Sequence, residues 1–511
     1  MAFQKLITAL DGSWRSLQYG QYQGSNEMYA ADKPREYVLD KLEIKMLKGK
    51  KYDIREMVID FAYHESIESS FLRCEFSILD TLDFNRLLQG GETVTIKAIT
   101  ATAFSKEPLE VDLMIYKIGA ISKSERGQLY VLHCVSPEMY SDESNKIFKG
   151  FGPGDGAMDG DCIPRLICEN YLKKDGKKNK IKEANFENHS KYTFIACSWK
   201  PSDAIAFISD KVTRLTKSKG ENKQGGFLFW ENRNGFNFRS IDSIAQGQAT
   251  QSSVYEYTYA IKSLSGVDAR YAIETITYPD KANHLTNMRM GTYKTSAIGV
   301  QISAAADSYA PDSGNKEETE DEGGTEVEGG TVDTVTANDG SGLSSAPGGT
   351  ISKPRILTFN DIFGKADTVE KARPYEIPEF FDLKKSQPTR MKIRALPALK
   401  NQTSTSNTNN GTNPNIDTMA VAQYAAARYN LLKSVKLDIT VPGNSALTAG
   451  ALIKVVIPAS RNEGETVMSD TRFSGLYVIA GLTHVYRRAG FTTKLYLVRD
   501  SQPRQSEKVN K

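Results

Sequence analysis

Alternating hydrophobic and polar positions run through the first third of the chain and predict β-strands. The alternation is clearest at 72–78 (Leu-Arg-Cys-Glu-Phe-Ser-Ile), where one set of side chains faces a core and the other faces outward. The same pattern predicts further strands at 42–46, 57–61, 93–99, 110–121 and 128–135. The last two strands are joined by the turn Ser124–Gly127 and form a hairpin. The segment 80–88 predicts a short helix that ends at Gly90-Gly91.

Residues 136–300 have a mixed pattern. Ile205, Ile208 and Val212 follow a Pro-Ser-Asp start at helical spacing and predict a helix, and 162–172 also has helical character. Hydrophobic residues on both sides of Asn232–Gly235 predict a hairpin. This part of the chain therefore mixes helices with strands.

Two stretches are too polar to bury a core. Residues 303–352 are rich in Ser, Gly, Thr, Asp and Glu, and between Ser313 and Glu328 seven acidic residues stand against one lysine. Burial of so few apolar groups cannot offset the entropy of ordering the chain, so a disordered loop is expected. The polar stretch 401–415 is interpreted in the same way.

The closing third returns to the strand pattern after one helix. Ala and Leu predict a helix at 418–433, and strands follow at 435–441, 452–457, 475–486 and 492–498. We expect seven segments: 1–38, an extended arm or a disordered terminus; 39–140, a first β-barrel; 141–300, a mixed middle domain that also contributes strands to the second barrel or stands apart from it; 301–355, the acidic loop; 356–415, a connection; 416–500, a second β-barrel; and 501–511, a tail.

Two distant regions of the sequence are alike. A strand that begins at Gly91 precedes one long hairpin, and a strand that begins at Gly450 precedes another; both hairpins turn at a basic, glycine-containing segment. A duplicated barrel is the simplest explanation. If three such chains associate, they present six barrels, which is a pseudo-six-fold arrangement on a three-fold molecule. The predicted fold class is α+β, mainly β, with two barrels and a mixed middle domain.

Composition adds few constraints. The 511 residues carry a net charge of +3, so nucleic acid is not attracted by a global field. The sequence has no apolar stretch of the ~20 residues that a membrane helix needs, and its first residues do not fit a signal peptide. Five cysteines without a CxxC pair make a disulfide framework unexpected, which fits assembly in a reducing cytoplasm.

No arrangement of residues that is typical of catalysis is present. The five histidines are scattered without metal-ligand spacing, and no GxSxG or Walker motif occurs. Asp155, Asp159 and Asp161 lack the closing Glu of an EF-hand, and the pair Glu65 and Glu68 is best interpreted as part of a solvated turn. The basic run 173–182 has no aromatic residues and is interpreted as a surface loop. We expect no catalytic residue, no metal site and no cofactor.

The two hairpin turns carry the candidate interaction residues. Lys123 and Arg126 lie at the first turn, and Arg487 and Arg488 lie at the second. They are either ordinary polar turn residues or contacts to a neighbouring ring.

The chain resembles the baseplate hub proteins of contractile-tailed phages, the T4-like central hub and the related late-control D proteins. The resemblance covers roughly 40–300 and 415–500 and is carried by Leu-Asp-Ile-Thr-Val-Pro-Gly at 437–443, by the strand at 447–453, and by the segments 474–484, 493–500 and 200–205. The acidic insertion and residues 1–38 have no counterpart in that family.

The resemblance implies a homotrimer with two tail-tube-like barrels in each chain. Its expected partners are a tail-tube or tube-initiator protein, a trimeric spike, the tape-measure protein and baseplate wedge proteins. DNA is expected to pass through a central channel without sequence-specific binding. The expected location is the tail baseplate of the virion, and a tailocin, a secretion-type injection machine and a tail-associated cell-wall hydrolase remain as alternatives.

Overall fold

A computed structural model of the chain describes the two regions in which barrels are predicted and much of the middle domain. The described residues are 34–100, 108–125, 127–151, 162–172, 180–190, 192, 194–214, 225–245, 254–259, 268–279, 283–302, 334–335, 349–352, 355–358, 385, 388, 390–395, 418–459, 469–470 and 472–500. Residues 1–33 of the predicted N-terminal arm, most of the acidic loop, the polar stretch 401–415 and the three aspartates Asp155, Asp159 and Asp161 lie outside these residues, and β1 begins at Tyr37, inside the predicted arm.

The first barrel is antiparallel. Its strands are β1 (Tyr37–Lys45), β2 (Lys51–Asp53), β3 (Val58–Ser66), β4 (Arg73–Asp80), β5 (Thr93–Thr100), β6 (Leu109–Ser124) and β7 (Gly127–Val135). They are hydrogen-bonded in the order β1-β5-β6-β7-β4-β3, and β2 lies on the outer edge of β1. Alternate side chains of these strands fill one core, as the period of two predicts.

The predicted helix at 80–88 is a single 3-10 turn, Phe84–Leu87. The buried carboxylate of Asp80 accepts hydrogen bonds from the backbone N–H groups of Leu82 (2.9 Å) and Asn85 (2.8 Å). A side-chain acceptor that engages nearby N–H groups competes with helical hydrogen bonding, which explains why the segment forms a tight turn instead.

The middle domain has its own hydrophobic core. Its elements are α1 (Pro137–Ser144), β8 (Ile147–Phe151), α2 (Ile163–Ile167) with a π turn at Cys168–Leu172, a 3-10 turn at Glu183–Asn185, β9 (Phe194–Trp199), α3 (Pro201–Ser209), β10 (Phe227–Asn232), β11 (Gly235–Ser240) and α4 (Ile241–Ala245). The predicted hairpin is the β10–β11 pair, in which the rings of Phe227 and Phe238 stack at 4.8 Å.

The second barrel draws on two separated parts of the chain. The first supplies β12 (Tyr255–Tyr259), a 3-10 turn (Ala269–Tyr271), β13 (Ala272–Ile273) and β14 (Thr275–Thr277); the second supplies β20 (Val435–Pro442), β21 (Leu452–Val456), β22 (Gly475–Arg487) and β23 (Gly490–Arg499). β13 pairs with β12 and β14 pairs with β20, so this continuous stretch closes the barrel.

Between these two parts lie a small sheet and two helices. They are α5 (His284–Met290), β15 (Lys294–Ile302), β16 (Thr334–Val335), β17 (Gly349–Ser352), β18 (Arg355–Thr358), β19 (Arg390–Ala395) and α6 (Thr418–Leu432). β15 is central, with β17 and β18 antiparallel and β19 parallel to it. The strands β17 and β18 therefore anchor the end of the predicted acidic loop. Among the described helices, none is long and apolar enough to cross a membrane.

The predicted fold class is confirmed. The protein is mainly β, with two barrels and a mixed middle domain. All five cysteines are free thiols, and only Cys197 is exposed.

Candidate assembly interface

Both barrels have the same circular strand order. The first runs β1-β5-β6-β7-β4-β3, and the second runs β12-β21-β22-β23-β20-β14. Numbered along the chain within each barrel, with the edge strand β2 left out and β13 and β14 counted as one strand, both orders are 1-4-5-6-3-2. The barrels differ in two ways: β12 runs parallel to β21, whereas β1 runs antiparallel to β5, and β12 pairs with β13, whereas the described β1 and β3 do not pair with each other. The duplication predicted from the sequence is therefore present in the topology.

The two long hairpins, β6–β7 and β22–β23, correspond closely, apart from one extra residue in β6. The N–H of Gly91 donates to the carbonyl of Ile115 at 2.8 Å, and the N–H of Gly450 donates to the carbonyl of Ile479 at 2.9 Å. Each hairpin has a bulge directly after that isoleucine. Both glycines have a left-handed backbone, with φ of 89° and 85°, which a side chain would strain.

The hairpin of the second barrel leaves its own barrel. The first half of β22 pairs with β21, and its second half pairs with β3 of the first barrel, from Gly481 opposite Ser66 to Arg487 opposite Asp60. The N–H of Phe491 also donates to the carbonyl of Arg35, next to β1, at 3.0 Å. The hairpin tip thus fills the gap between β1 and β3.

Aromatic side chains fix this joint. Tyr486 and Phe491 from the hairpin are buried within the core of the first barrel. The ring of Tyr486 stacks on Phe61 at 4.7 Å and meets Tyr37 edge-on at 4.9 Å. Such ring pairs stabilise the protein beyond the effect of the buried area alone. Because both rings lie in the core of the first barrel, the joint is part of a core and not a surface contact between separate domains.

Glu65 is a buried polar centre of the joint. It is 3% exposed, so the predicted solvated turn is wrong for this residue. Its carboxylate accepts hydrogen bonds from the hydroxyl of Tyr63 (2.7 Å) and from the backbone N–H groups of Arg233 and Ala449 (2.8 Å each). Burial raises the pKa of Glu65 to about 7, and the three hydrogen bonds oppose that rise. The carboxylate ties the first barrel, the middle domain and the second barrel together.

His484 is another buried group in the joint. Its Nδ1 lies 2.9 Å from the hydroxyl of Thr493, and its ring stacks on Tyr63 at 5.9 Å. Burial, with the nearby charge of Arg233, lowers the pKa of His484 to about 3, so the ring is neutral at physiological pH. The ring is packed within the joint and plays a structural part.

The corresponding hairpin of the first barrel is exposed where the second is buried. Residues 481–486 of β22 are buried except for the half-buried Val485, whereas most of 116–123 in β6 is exposed. Large apolar side chains are involved, because Tyr116, Ile121 and Leu129 are 49%, 51% and 43% exposed. The second half of β22 pairs with β3 along one edge. Among the described strands, none pairs with the corresponding edge of β6. A long edge with exposed apolar residues is a site for pairing with another chain.

The basic turn residues have different surroundings. Lys123 and Arg487 are both exposed at the ends of their hairpins. The guanidinium of Arg488 donates to the backbone carbonyl of Glu56 at 2.9 Å, across the joint of the two barrels. Arg126 lies outside the described residues. Lys123, Arg126, Arg487 and Arg488 remain predicted interaction residues.

The end of the basic run is not a surface loop. Residues 173–179 lie outside the described part of the chain, but the ammonium group of Lys180 lies 2.7 Å from the carboxylates of both Glu138 and Glu231. Burial lowers the pKa of Lys180, but the charges of the two carboxylates outweigh that effect and the pKa is raised. The second oxygen of Glu231 accepts from the hydroxyl of Ser136 and from the N–H of Leu72. This cluster fastens the middle domain to the first barrel.

The remaining polar groups form local pairs. Glu68, which the sequence places near Glu65, forms an exposed ion pair with Lys433. Nδ1 of His133 lies 3.1 Å from a carboxylate oxygen of Glu75. Within the described residues no group of three or more His, Cys, Asp or Glu side chains is placed to hold a metal ion.

The protein is thus a pair of equivalent six-stranded barrels, joined through one exchanged hairpin, with a mixed middle domain. No protein-family model matches the sequence, and no curated protein matches it. Solved structures do match the fold. A tail protein from Neisseria meningitidis is 11% identical with a TM-score of 0.45, over 91% of this chain and 97% of that one.

Two further solved structures are similar. The 43 kDa tail protein of prophage MuSo2 from Shewanella oneidensis is also 11% identical with a TM-score of 0.45, over 91% of this chain and 100% of its own. The Escherichia coli c3393 protein, a type VI secretion component with structural similarity to T4 phage tail proteins gp27 and gp5, is 8% identical with a TM-score of 0.36, over 91% of this chain and 77% of its own. TM-scores below 0.5 assign no function to this chain.

Proposed function

We propose that the chain is a structural, non-enzymatic subunit of a phage-type tail, the baseplate hub that joins the tail tube to the central spike. One observation carries the proposal: a single chain contains two equivalent barrels, joined edge to edge through β22 and β3. The same sequence pattern first indicated a duplicated barrel and a resemblance to hub proteins.

The joint between the barrels supports a ring. It is heterologous, because β22 of one barrel pairs with β3 of the other, so different edges meet. Repetition of a heterologous contact produces either a closed ring or an open filament, depending on the rotation at each step. With two barrels in each chain, three chains supply six barrels. The trimer is then pseudo-six-fold on its barrel face and three-fold elsewhere, which adapts a six-fold tube to a three-fold spike.

The proposed partners follow from that position. A tail-tube or tube-initiator protein would bind one face of the ring, and a trimeric spike would bind the other, with wedge proteins around the rim and the tape-measure protein in the channel. DNA would pass through the channel without sequence-specific contacts, in line with a net charge of only +3. The proposed location is the tail baseplate, after assembly in the host cytoplasm.

The same geometry suits the hub of a tailocin or a secretion-type injection machine, since a six-to-three adaptor is needed in each. Glu65 and Glu68, a pair of carboxylates such as a cell-wall hydrolase would use, give no support to a tail-associated hydrolase. The carboxylate of Glu65 is buried and accepts three hydrogen bonds, and Glu68 pairs with Lys433, so both carboxylates are engaged in structural contacts.

The oligomeric state tests the proposal. We expect light scattering on the purified protein, alone or with its spike protein, to give three copies of the 56.6 kDa chain, about 170 kDa. Electron microscopy of the particle should show six similar lobes around a channel. A stable monomer even with the spike present, or a two-fold particle, would contradict the proposal.

A further inference from the structure

We infer that the exposed edge of β6 pairs, through residues 122–124, with β14 (Thr275–Thr277) of a second copy of this chain and repeats between chains the joint that β22 and β3 form within one. The inference rests on the proposed ring and specifies the surfaces that close it. It follows from the equivalence of the two barrels and from the pairing within the chain.

The first step identifies the two missing partners. In the strand order that both barrels share, β22 corresponds to β6 and β3 corresponds to β14. β22 and β3 pair with each other inside the chain. Their counterparts lie in different barrels, and among the described strands neither has a partner on the corresponding side. If a second copy is rotated about the ring axis by the width of one chain, which is two barrels, its β14 lies against β6 of the first copy.

The second step gives the register on β6. The turn glycines Gly127 and Gly490 correspond, with φ of 158° and 150°. Counting back from them, Ser122 lies opposite Leu129 in β7 as Val485 lies opposite Thr492 in β23. β6 contains one extra residue, taken up by a bulge between Gly119 and Ser122.

The third step gives the register on β14. Phe61 pairs with Phe76 of β4 in the first barrel, and Ile276 pairs with Ile439 of β20 in the second. Phe76 and Ile439 occupy corresponding positions, so Phe61 corresponds to Ile276. Ala62, which lies opposite Val485 across the joint, therefore corresponds to Thr277. The expected contact between chains thus places Ser122 opposite Thr277.

The exposure of the two surfaces agrees with this assignment. Ser122 and Thr277 are both exposed, whereas their counterparts Val485 and Ala62 are half-buried in the joint. Tyr278 is 39% exposed, while the corresponding Tyr63 is fully buried. Pairing would cover these groups, together with the exposed apolar side chains of the β6–β7 hairpin, and would remove an open edge.

The contact between the two chains would be made mainly by backbone hydrogen bonds. The exposed apolar side chains of the β6–β7 hairpin would lie on one face of the paired strands. That is the chemistry of strand addition, in which the main chain provides affinity and side chains set the register. A second copy is the occupant that fits, because the same fold already supplies that strand at the corresponding place.

Engineered disulfides test the contact. In a Cys197→Ser background, which removes the exposed native thiol, the double variant Ser122→Cys, Thr277→Cys should form a covalent trimer under mild oxidation. Each single variant should remain monomeric on a denaturing gel. A mixture of the two single variants should give linked dimers only, because the contact joins two different edges.

A second variant measures the contact without a disulfide. Ile121→Glu places a charge at the proposed interface, and because Ile121 is 51% exposed the fold should tolerate it. Self-association should weaken by roughly tenfold or more. The matched control is Leu47→Glu, at another exposed apolar residue (63%) in the turn between β1 and β2, which should leave association unchanged.

The outcomes separate this inference from the proposed function. A trimer that gives no cross-link in the double variant and is unaffected by Ile121→Glu would overturn this interface and leave the hub role in place. A protein that is monomeric under all conditions would overturn both. Protection of 117–123 from hydrogen exchange in a monomer would show that another part of the same chain covers the edge, and would also overturn the inference.

Discussion

Neutralising Glu65 should remove a pH-dependent destabilisation at the joint of the two barrels. The carboxyl is fully buried, and burial raises its pKa from 4.5 to about 7. In the unfolded chain the group ionises near its ordinary pKa, so the folded state holds the proton more tightly. A raised pKa of an acid means that its contribution to stability is present below the unfolded value and is lost as the pH rises towards 7.

The magnitude follows from that shift. Each pKa unit corresponds to about 1.4 kcal/mol. Between about pH 5 and about pH 8, ionisation of this single group should lower the free energy of unfolding of the wild-type protein by about 2.5 kcal/mol, when the folded pKa is about 7 and the unfolded value is 4.5. The Glu65→Gln variant cannot ionise at this position, so it should lack this component.

The assay is urea unfolding of both proteins at several pH values, followed by the difference between their free energies. Other titrating groups, including the buried His484, are present in both proteins and cancel to first order in that difference. We expect the variant to gain on the wild type as the pH rises. A difference that stays constant with pH, or one that changes in favour of the wild type, would refute the raised pKa and the dry environment from which it is derived.

Two further predictions concern stability and use thermal or urea unfolding. Gly450→Ala should destabilise by about 3 kcal/mol, because φ is 85° and a Cβ would lie 2.5 Å from the ring of Trp230, whereas the matched Gly91→Ala should cost about 1 kcal/mol because only φ opposes it; equal losses would contradict the steric conflict with Trp230. Lys180→Met should cost about 3 kcal/mol because two carboxylates remain buried without their cation, and a second change, Glu231→Gln, should recover part of that loss; if Lys180→Met has no effect, the ammonium group is not part of the cluster.

Most of the strands could be predicted from the sequence because their side chains alternate strictly. The duplication was also visible, since Gly91 and Gly450 begin corresponding strands and both are required by a left-handed backbone. These are local signals. The strand signal depends on the polarity of a few neighbouring residues. The signal at Gly91 and Gly450 depends on a backbone conformation that only glycine adopts easily.

The joint itself was not predicted, because it depends on contacts between residues hundreds of positions apart. A signal for Glu65 did exist: Phe61, Tyr63 and Glu65 follow each other at intervals of two, which places the carboxylate on the buried face of β3. For Lys180 no such signal exists. Its burial depends on Glu138 and Glu231, which come from separate elements, and a run of lysines gives no indication of which one will be paired.

The shared strand β22 has a mechanical consequence. Because its first half belongs to one barrel and its second half to the other, unfolding of the second barrel would withdraw Tyr486 and Phe491 from the core of the first. The two halves should therefore denature as a single cooperative unit. A force that pulls the two barrels apart would be shared by the seven paired positions between β22 and β3, and would not act on a linker alone.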